Sequence, residues 1–333
     1  MRTVIAVFLL AGLCFMSHKN AAASTYIMSS SEAAWLEELK QYAINRGVSP
    51  RVVEEALGDF YPTQSVIDLD RKQPESTITL ETYVNNVVSQ ARIKKGTELL
   101  VKHVKTLRNI EQKTGVPPQI VVALWGIESN FGSNTGRFEV INSLATLVYE
   151  GRRADFFRNE LVNALKILEQ NNMRASELRG SWAGAMGQCQ FMPSTYMNYA
   201  MDGDGDGIID IWNSVDDVLA SIANYIKAEG WAEGEKWGRK VVLTQPVHPD
   251  LIGLQIVLPL TEWAAMGVRT ETGAHLPRFD MKASLIRPSG EGGDSFLVYN
   301  NFNVIRRWNR SNFFAVSVGT LSDRIYEMTL RKK

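Results

Sequence analysis

Two groups of residues in this chain are spaced to do chemistry. The first is acidic: the run DGDGDGIIDIWNSVDD places Asp202, Asp204 and Asp206 two residues apart, with Gly207 directly after them. These are positions one, three, five and six of an EF-hand-type loop, in which short carboxylates converge on one cation once a glycine permits the sharp turn. Calcium takes roughly six to eight oxygen ligands, so the Ile208 carbonyl at position seven, Asp210 at nine and Asn213 at twelve are the next expected ligands. Asn213 stands where the standard loop carries a bidentate glutamate and offers one neutral oxygen, so Asp216 or Asp217 is expected to close the shell, at modest affinity. Ile208 is expected to pack the loop onto its own helices. The plainer reading is an acidic turn capping a helix that starts near Ser214.

The second group centres on Glu128. In PQIVVALWGIES, residues Val121, Leu124 and Glu128 fall at i, i+3 and i+7, so the carboxylate ends an apolar stripe. Desolvation there would raise its pKa, and a carboxylic acid kept protonated near neutral pH is what a general acid for glycosidic cleavage requires. Spacing alone leaves open a solvated glutamate at a helix end. Cys189 has none of the four histidines placed near it by sequence and reads as a small buried residue rather than a nucleophile.

The elements that must position these residues are mostly helical. Ser29 and Glu32 are spaced as a capping box, with Leu36, Leu39 and Ala43 on one face until Gly47, and Ser49-Pro50 starts a second helix. Residues 61–79, with Pro62 and Pro74, read as an extended surface connection. A helix is predicted over 97–115, ending on Gly115, and Pro117-Pro118 opens the helix that carries Glu128. Residues 240–285 mix β-branched runs with prolines and glycines and read as a small strand-containing region, and 290–293 read as a turn.

Length and composition fit a soluble, folded protein of enzyme size: 333 residues, 45% hydrophobic, 22% charged, with no net charge. The basic residues are scattered, so neither a phosphate backbone nor an anionic membrane surface is indicated as a partner. Arg2, an apolar run over 4–16 and Ala21-Ala22-Ala23 read as an export signal cleaved after Ala23. The run is shorter than the ~20 apolar residues of a membrane span, and Leu13 intervenes before Cys14 where a lipobox would need the cysteine directly. Only Cys189 would remain after cleavage, which excludes an intramolecular disulfide.

ALWGIESNFG at 123–132 and GSWAGAMGQCQFMPSTY at 180–196 resemble the lytic murein transglycosylase B family. SLATLVYEGRRADFF at 143–157, the acidic loop, SIANYIKAEGW at 221–231 and NFNVIRRWNRSNFFAVSVGTLSDRI at 301–325 follow in the family's order. The resemblance implies a mainly α, lysozyme-like catalytic core cleaving the β-1,4 bond between N-acetylmuramic acid and N-acetylglucosamine in peptidoglycan. Glu128 matches the family's acid, which serves first as acid and then as base while the muramic C6 hydroxyl attacks C1 and leaves a 1,6-anhydro end. A paired-carboxylate glycosidase needs a second acid about 5 to 9.5 Å away. The matching motifs hold none, and Glu139 and Glu150 read as helix-surface acids.

By the same resemblance Ser181, Gln190 and Tyr225 match residues that hold sugar and acid, although capping, backbone satisfaction and core packing would explain them too. Arg152 and Arg153 match a basic pair facing the glycan, with a solvated charged turn as the alternative. Trp308 and Asn309 match a cleft edge, Trp308 where an aromatic can stack on a sugar. Phe314 replaces a tyrosine of some relatives, which would make the cleft more apolar. Gly184 and Gly187 either let backbone approach substrate or permit tight packing.

The expected organisation is a signal at 1–23, an N-terminal helical region at 24–95, a core at 96–235 with its calcium loop at 202–217, and a C-terminal part at 236–333 folding back over the cleft. The expected setting is periplasmic and monomeric, with peptidoglycan strands and other cell-wall enzymes as partners, structural calcium and no organic cofactor. A hydrolytic muramidase on the same scaffold and a noncatalytic, calcium-dependent glycan-binding protein are the alternatives.

Overall fold

The computed structural model describes residue 26, residues 28–72 and residues 78–331. The signal segment and Pro74 lie outside the described residues. The chain is mainly helical with small antiparallel sheets, and its described residues group into two compact units, 78–131 with 219–331 and 28–72 with 132–218. A helix, Gln90–Lys102, runs across position 95.

In the unit that carries Glu128, the helix Asn312–Leu330 packs on Leu80–Val87, Gln90–Lys102 and Pro118–Ser129. The approach is close because Gly96 has no side chain: a Cβ there would lie 2.6 Å from Ile325 Cδ1. The predicted helix over 97–115 is instead two, Gln90–Lys102 and Val104–Thr114, broken at His103. Ser89 caps the first, and Gly115 ends the second in the left-handed region that glycine adopts without penalty. The periodicity misled because Leu99, Leu100 and Leu107 are buried while Val104 is exposed.

The strand-containing region is a five-stranded antiparallel sheet, in the order Leu258–Pro259, Lys282–Ile286, Ser295–Val298, Gly238–Leu243, Val268–Thr270. Trp263, from the helix Leu260–Ala265, fills its core with Leu285 and Leu297 and donates its indole N–H to the Ala283 carbonyl at 2.9 Å.

In the other unit, Ser30–Ile44 carries the predicted capping box and buries Leu36, Leu39 and Ala43. Pro50–Leu57 follows from Ser49, whose side chain caps it. The expected extended connection is a helix over Gln64–Arg71, since Val66 and Asp70, four apart, are both buried on one face and Gln64 donates to Asp68 at 2.9 Å on the other. Val140–Glu150 and Ala154–Gln170 form an antiparallel pair, and Phe138–Glu139 pairs with Arg179–Gly180 in a short ribbon.

Candidate active site

Pro118–Ser129 begins with prolines and buries Ile120 through Gly126, which fixes the face on which its last turn presents Glu128. The helix stops because Asn130 and Phe131 adopt left-handed backbone, and the Phe131 ring packs edge-on against Trp125 at 5.6 Å. Glu128 is partly buried, and the loss of water around its carboxyl raises the pKa from 4.5 to about 8. One interaction pulls the other way: the Trp308 indole N–H donates to Glu128 Oε1 at 2.7 Å. Tyr83, which the sequence did not single out, stands close enough for the Glu128 charge to add to the burial that raises its phenol to about 12.

Trp308 ends the helix Asn300–Trp308. Its ring meets Tyr225 edge to face, centroids 4.9 Å apart, and the Tyr225 hydroxyl donates to the Arg307 carbonyl at 2.8 Å. The structure therefore brings Glu128, Trp308 and Tyr225 together. Asn309 directs Oδ1 at the Ser311 backbone N–H, 3.1 Å away, and Ser311 in turn caps Asn312–Leu330. Phe314 is buried in the packed interior, so its ring belongs to the core of its unit rather than adding an apolar surface for substrate.

Ser181 and Gln190 belong to the other unit. Ser181 caps no helix: it lies in a turn and its Oγ accepts the Ala185 N–H at 2.9 Å. Gln190 has left-handed backbone at φ 51 and donates its amide to the Gly187 and Thr135 carbonyls at 2.8 and 3.0 Å. Gly184 and Gly187 face protein: a Cβ would lie 2.6 Å from Leu144 Cδ2 and 2.7 Å from Ile211 Cγ1 respectively, so tight packing is what these glycines permit. Cys189 is fully buried, its thiol donating to the Val218 carbonyl at 3.6 Å.

Arg152 and Arg153 lie in a turn, Arg152 exposed and Arg153 partly buried, and the turn is tied down rather than simply solvated. Both guanidinium groups hold the buried carboxylate of Asp70, Arg152 at 2.5 Å, and Arg153 also covers the Phe157 ring. Asp70 was hidden from sequence reading because its helix was read as a connection. Glu139 lies on the two-stranded ribbon rather than on a helix and pairs with Arg179 at 3.0 Å, while Glu150 pairs with Arg71 at 3.2 Å.

In the acidic loop, Gly205 and Gly207 take left-handed backbone and let the chain fold onto its own carboxylates. Asp202 accepts the Gly205 and Gly207 N–H groups, Asp204 that of Asp206, Asp206 that of Ile208, and Asp210 those of Trp212 and Asn213. Carboxylate oxygens of Asp202, Asp204 and Asp217 lie within 4.8 Å of one another. Of the two acids considered for closing the shell, the one brought to this group is Asp217, buried and accepting from Gly203 and Asp210 at 2.8 and 2.6 Å; Asp216 is not in it. Ile208 does not pack the loop: it is 58% exposed, and Ile211, fully buried, takes that part. Ile208 faces solvent, whereas Ile211 lies over Gly187.

The Transglycosylase SLT domain family matches residues 31–323. The membrane-bound lytic murein transglycosylase B of Escherichia coli (strain K12) is 33% identical over 292 residues, covering 84% of this chain and 79% of that protein. SltB3 from Pseudomonas aeruginosa, solved in complex with NAG-anhNAM-pentapeptide, has the same fold at a TM-score of 0.85 and 42% identity, over 90% of this chain and 80% of that one. The Escherichia coli lytic transglycosylase Slt35, solved in complex with calcium, reaches a TM-score of 0.78 at 29% identity, over 89% and 93% of the two chains. With nearly the whole described chain matched in sequence and in fold, the protein belongs to the Transglycosylase SLT domain family and is a peptidoglycan lytic transglycosylase.

Proposed function

We propose that this enzyme cleaves the β-1,4 bond between N-acetylmuramic acid and N-acetylglucosamine with Glu128 as its single acid and base, and leaves 1,6-anhydro ends. The observation that carries the reading is the Glu128 carboxyl raised to about 8, which keeps it protonated at neutral pH. Its proton passes to the glycosidic oxygen as the bond from C1 to that oxygen breaks. The carboxylate so formed takes the proton of the muramic C6 hydroxyl as O6 bonds to C1. Water is not consumed and Glu128 ends protonated. The complex of SltB3 with NAG-anhNAM-pentapeptide supports an anhydro end for this reaction.

The glycan contacts proposed for Ser181, Gln190, Arg152, Arg153, Tyr225, Trp308 and Asn309 rest on the resemblance. Ser181 Oγ keeps its hydrogen to donate, and Gln190 keeps its amide oxygen to accept. A structural calcium is proposed for the acidic loop, held by Asp202, Asp204 and Asp217 with Asp206, the Ile208 carbonyl, Asp210, Asn213 and Asp216 as the remaining candidates. Clustered short carboxylates on a loop with left-handed glycines fit a hard oxygen-seeking cation, and the calcium complex of Slt35 supports the choice of metal. The proposed setting is the periplasm after cleavage behind Ala23. No helix among the described residues is long and apolar enough to cross a membrane.

Mass spectrometry of soluble products from purified peptidoglycan tests the reaction, with Glu128→Gln as control. Anhydro-muropeptides from the parent protein alone support the proposal, and reducing muramic ends would instead mean hydrolysis.

A further inference from the structure

We propose that Trp308 is the group that places the proton on Glu128, and that Tyr225 acts through Trp308 as a positioning residue. The inference deepens the proposed function and rests on Glu128 being the acid. An indole N–H can only donate, so Oε1, at 2.7 Å from Trp308 Nε1, must accept in both protonation states of Glu128. The transferable proton is therefore favoured on Oε2, the oxygen that Trp308 does not hold, because the carbonyl-type oxygen of a neutral carboxyl is the better acceptor. When Oε2 gives up that proton, the bond from Trp308 becomes one to an ionised carboxylate and strengthens. It needs no reorganisation, because the indole already points at the oxygen where charge develops.

Tyr225 holds the indole in two ways that leave its own hydroxyl occupied. Its ring meets the Trp308 ring at 70° with centroids 4.9 Å apart, and its O–H donates at 2.8 Å to the carbonyl of Arg307, the residue just before Trp308. Arg307 lies in the last turn of Asn300–Trp308, where carbonyls lack partners within the helix. The Tyr225 hydroxyl supplies one, and so fixes the backbone from which the indole projects.

Trp308→Phe keeps an aromatic face and removes only the donor. It is expected to lower kcat by about 100-fold and to move the alkaline limb of the pH profile upward by about one pH unit, because the acid has lost a bond that favours its charged form. Tyr225→Phe is expected to shift the limb in the same direction by less, with kcat falling and KM unchanged. A raised KM with an unmoved limb in both variants would show that the two aromatics only stack on sugar, and would overturn the inference. Because a variant can also lose its fold, the indole N–H resonance of Trp308 in the parent protein provides a second reading. It should titrate with a midpoint near 8 and stay still in Glu128→Gln; a resonance indifferent to pH in the parent overturns the inference without reference to activity. Activity retained by Glu128→Gln would instead refute the assignment of the acid on which the inference stands.

Discussion

Arg152 and Asp70 are joined by three contacts. Arg152 Nε and Nη2 reach Asp70 Oδ2 at 2.9 and 2.5 Å, and Nη2 also donates to the Asp70 backbone carbonyl at 2.7 Å. The carboxylate is 1% exposed and Arg152 49%, so the acid has left water while its partner has not. Removing the acid strands two guanidinium groups built around it, one of them, Arg153, only 20% exposed. Asp70→Ala is expected to cost on the order of 3 kcal/mol in urea unfolding, and Arg152→Ala clearly less, since Arg153 remains on the acid. Equal losses would mean that Asp70 is not the centre of the cluster.

Glu128 couples both activity and stability to pH, and at the upper limb both fall together. Its pKa is 4.5 in the ordinary case and about 8 when folded, so between those values the folded chain holds a proton that the unfolded chain releases. The stability this contributes is complete below about 4.5 and is lost as pH rises through about 8. Cleavage by the parent enzyme should fall over the same upper limb. Glu128→Gln, which cannot ionise, should melt a few degrees higher than the parent at pH 9 and close to it at pH 5. A melting difference that does not change with pH would remove the desolvated, protonated acid from the account.

Calcium should raise the melting temperature by way of the three converging carboxylates. Asp204→Asn keeps the shape of the exposed side chain and removes its charge, so it is expected to abolish most of the calcium-dependent rise while changing the calcium-free protein little. Asp217→Asn should do both kinds of damage, because Asp217 also accepts the Gly203 and Asp210 N–H groups from a buried position. Isothermal titration with calcium against the two variants separates these outcomes, and binding that survives Asp204→Asn unchanged would place the ion elsewhere.

Gly187 and Gly234 distinguish packing from backbone strain. Both have positive φ, 63° and 76°, but a Cβ on Gly187 would lie 2.7 Å from Ile211 Cγ1, whereas nothing stands within 4 Å of one on Gly234. Gly234→Ala should cost about 1 kcal/mol, the backbone penalty alone, and Gly187→Ala about 1 to 3 kcal/mol more from overpacking. Unfolding curves that give the two the same cost would show that Ile211 yields freely.

Local chemistry was legible in the sequence where the responsible residues are close together in the chain. The capping box of Ser29 and Glu32, the helix from Pro118 with its apolar stripe beneath Glu128, the left-handed Gly115 and the acidic loop all follow from side-chain geometry over a few residues. The family was legible because several such segments recur in one order. What only the tertiary structure decided involves partners far apart in sequence. Trp308 lies 180 positions from Glu128, and Asp70 lies 82 positions from Arg152. Asp217 and not Asp216 joins the acidic group because the helix Val215–Ala228 presents them on different faces, and Ile211 rather than Ile208 is buried because it is Ile211 that the packed chain lays against Gly187. Periodicity reports which face of an element is apolar. The partner that desolvates, orients or neutralises a polar group comes from wherever the packed chain returns, and that is set by the burial of the whole.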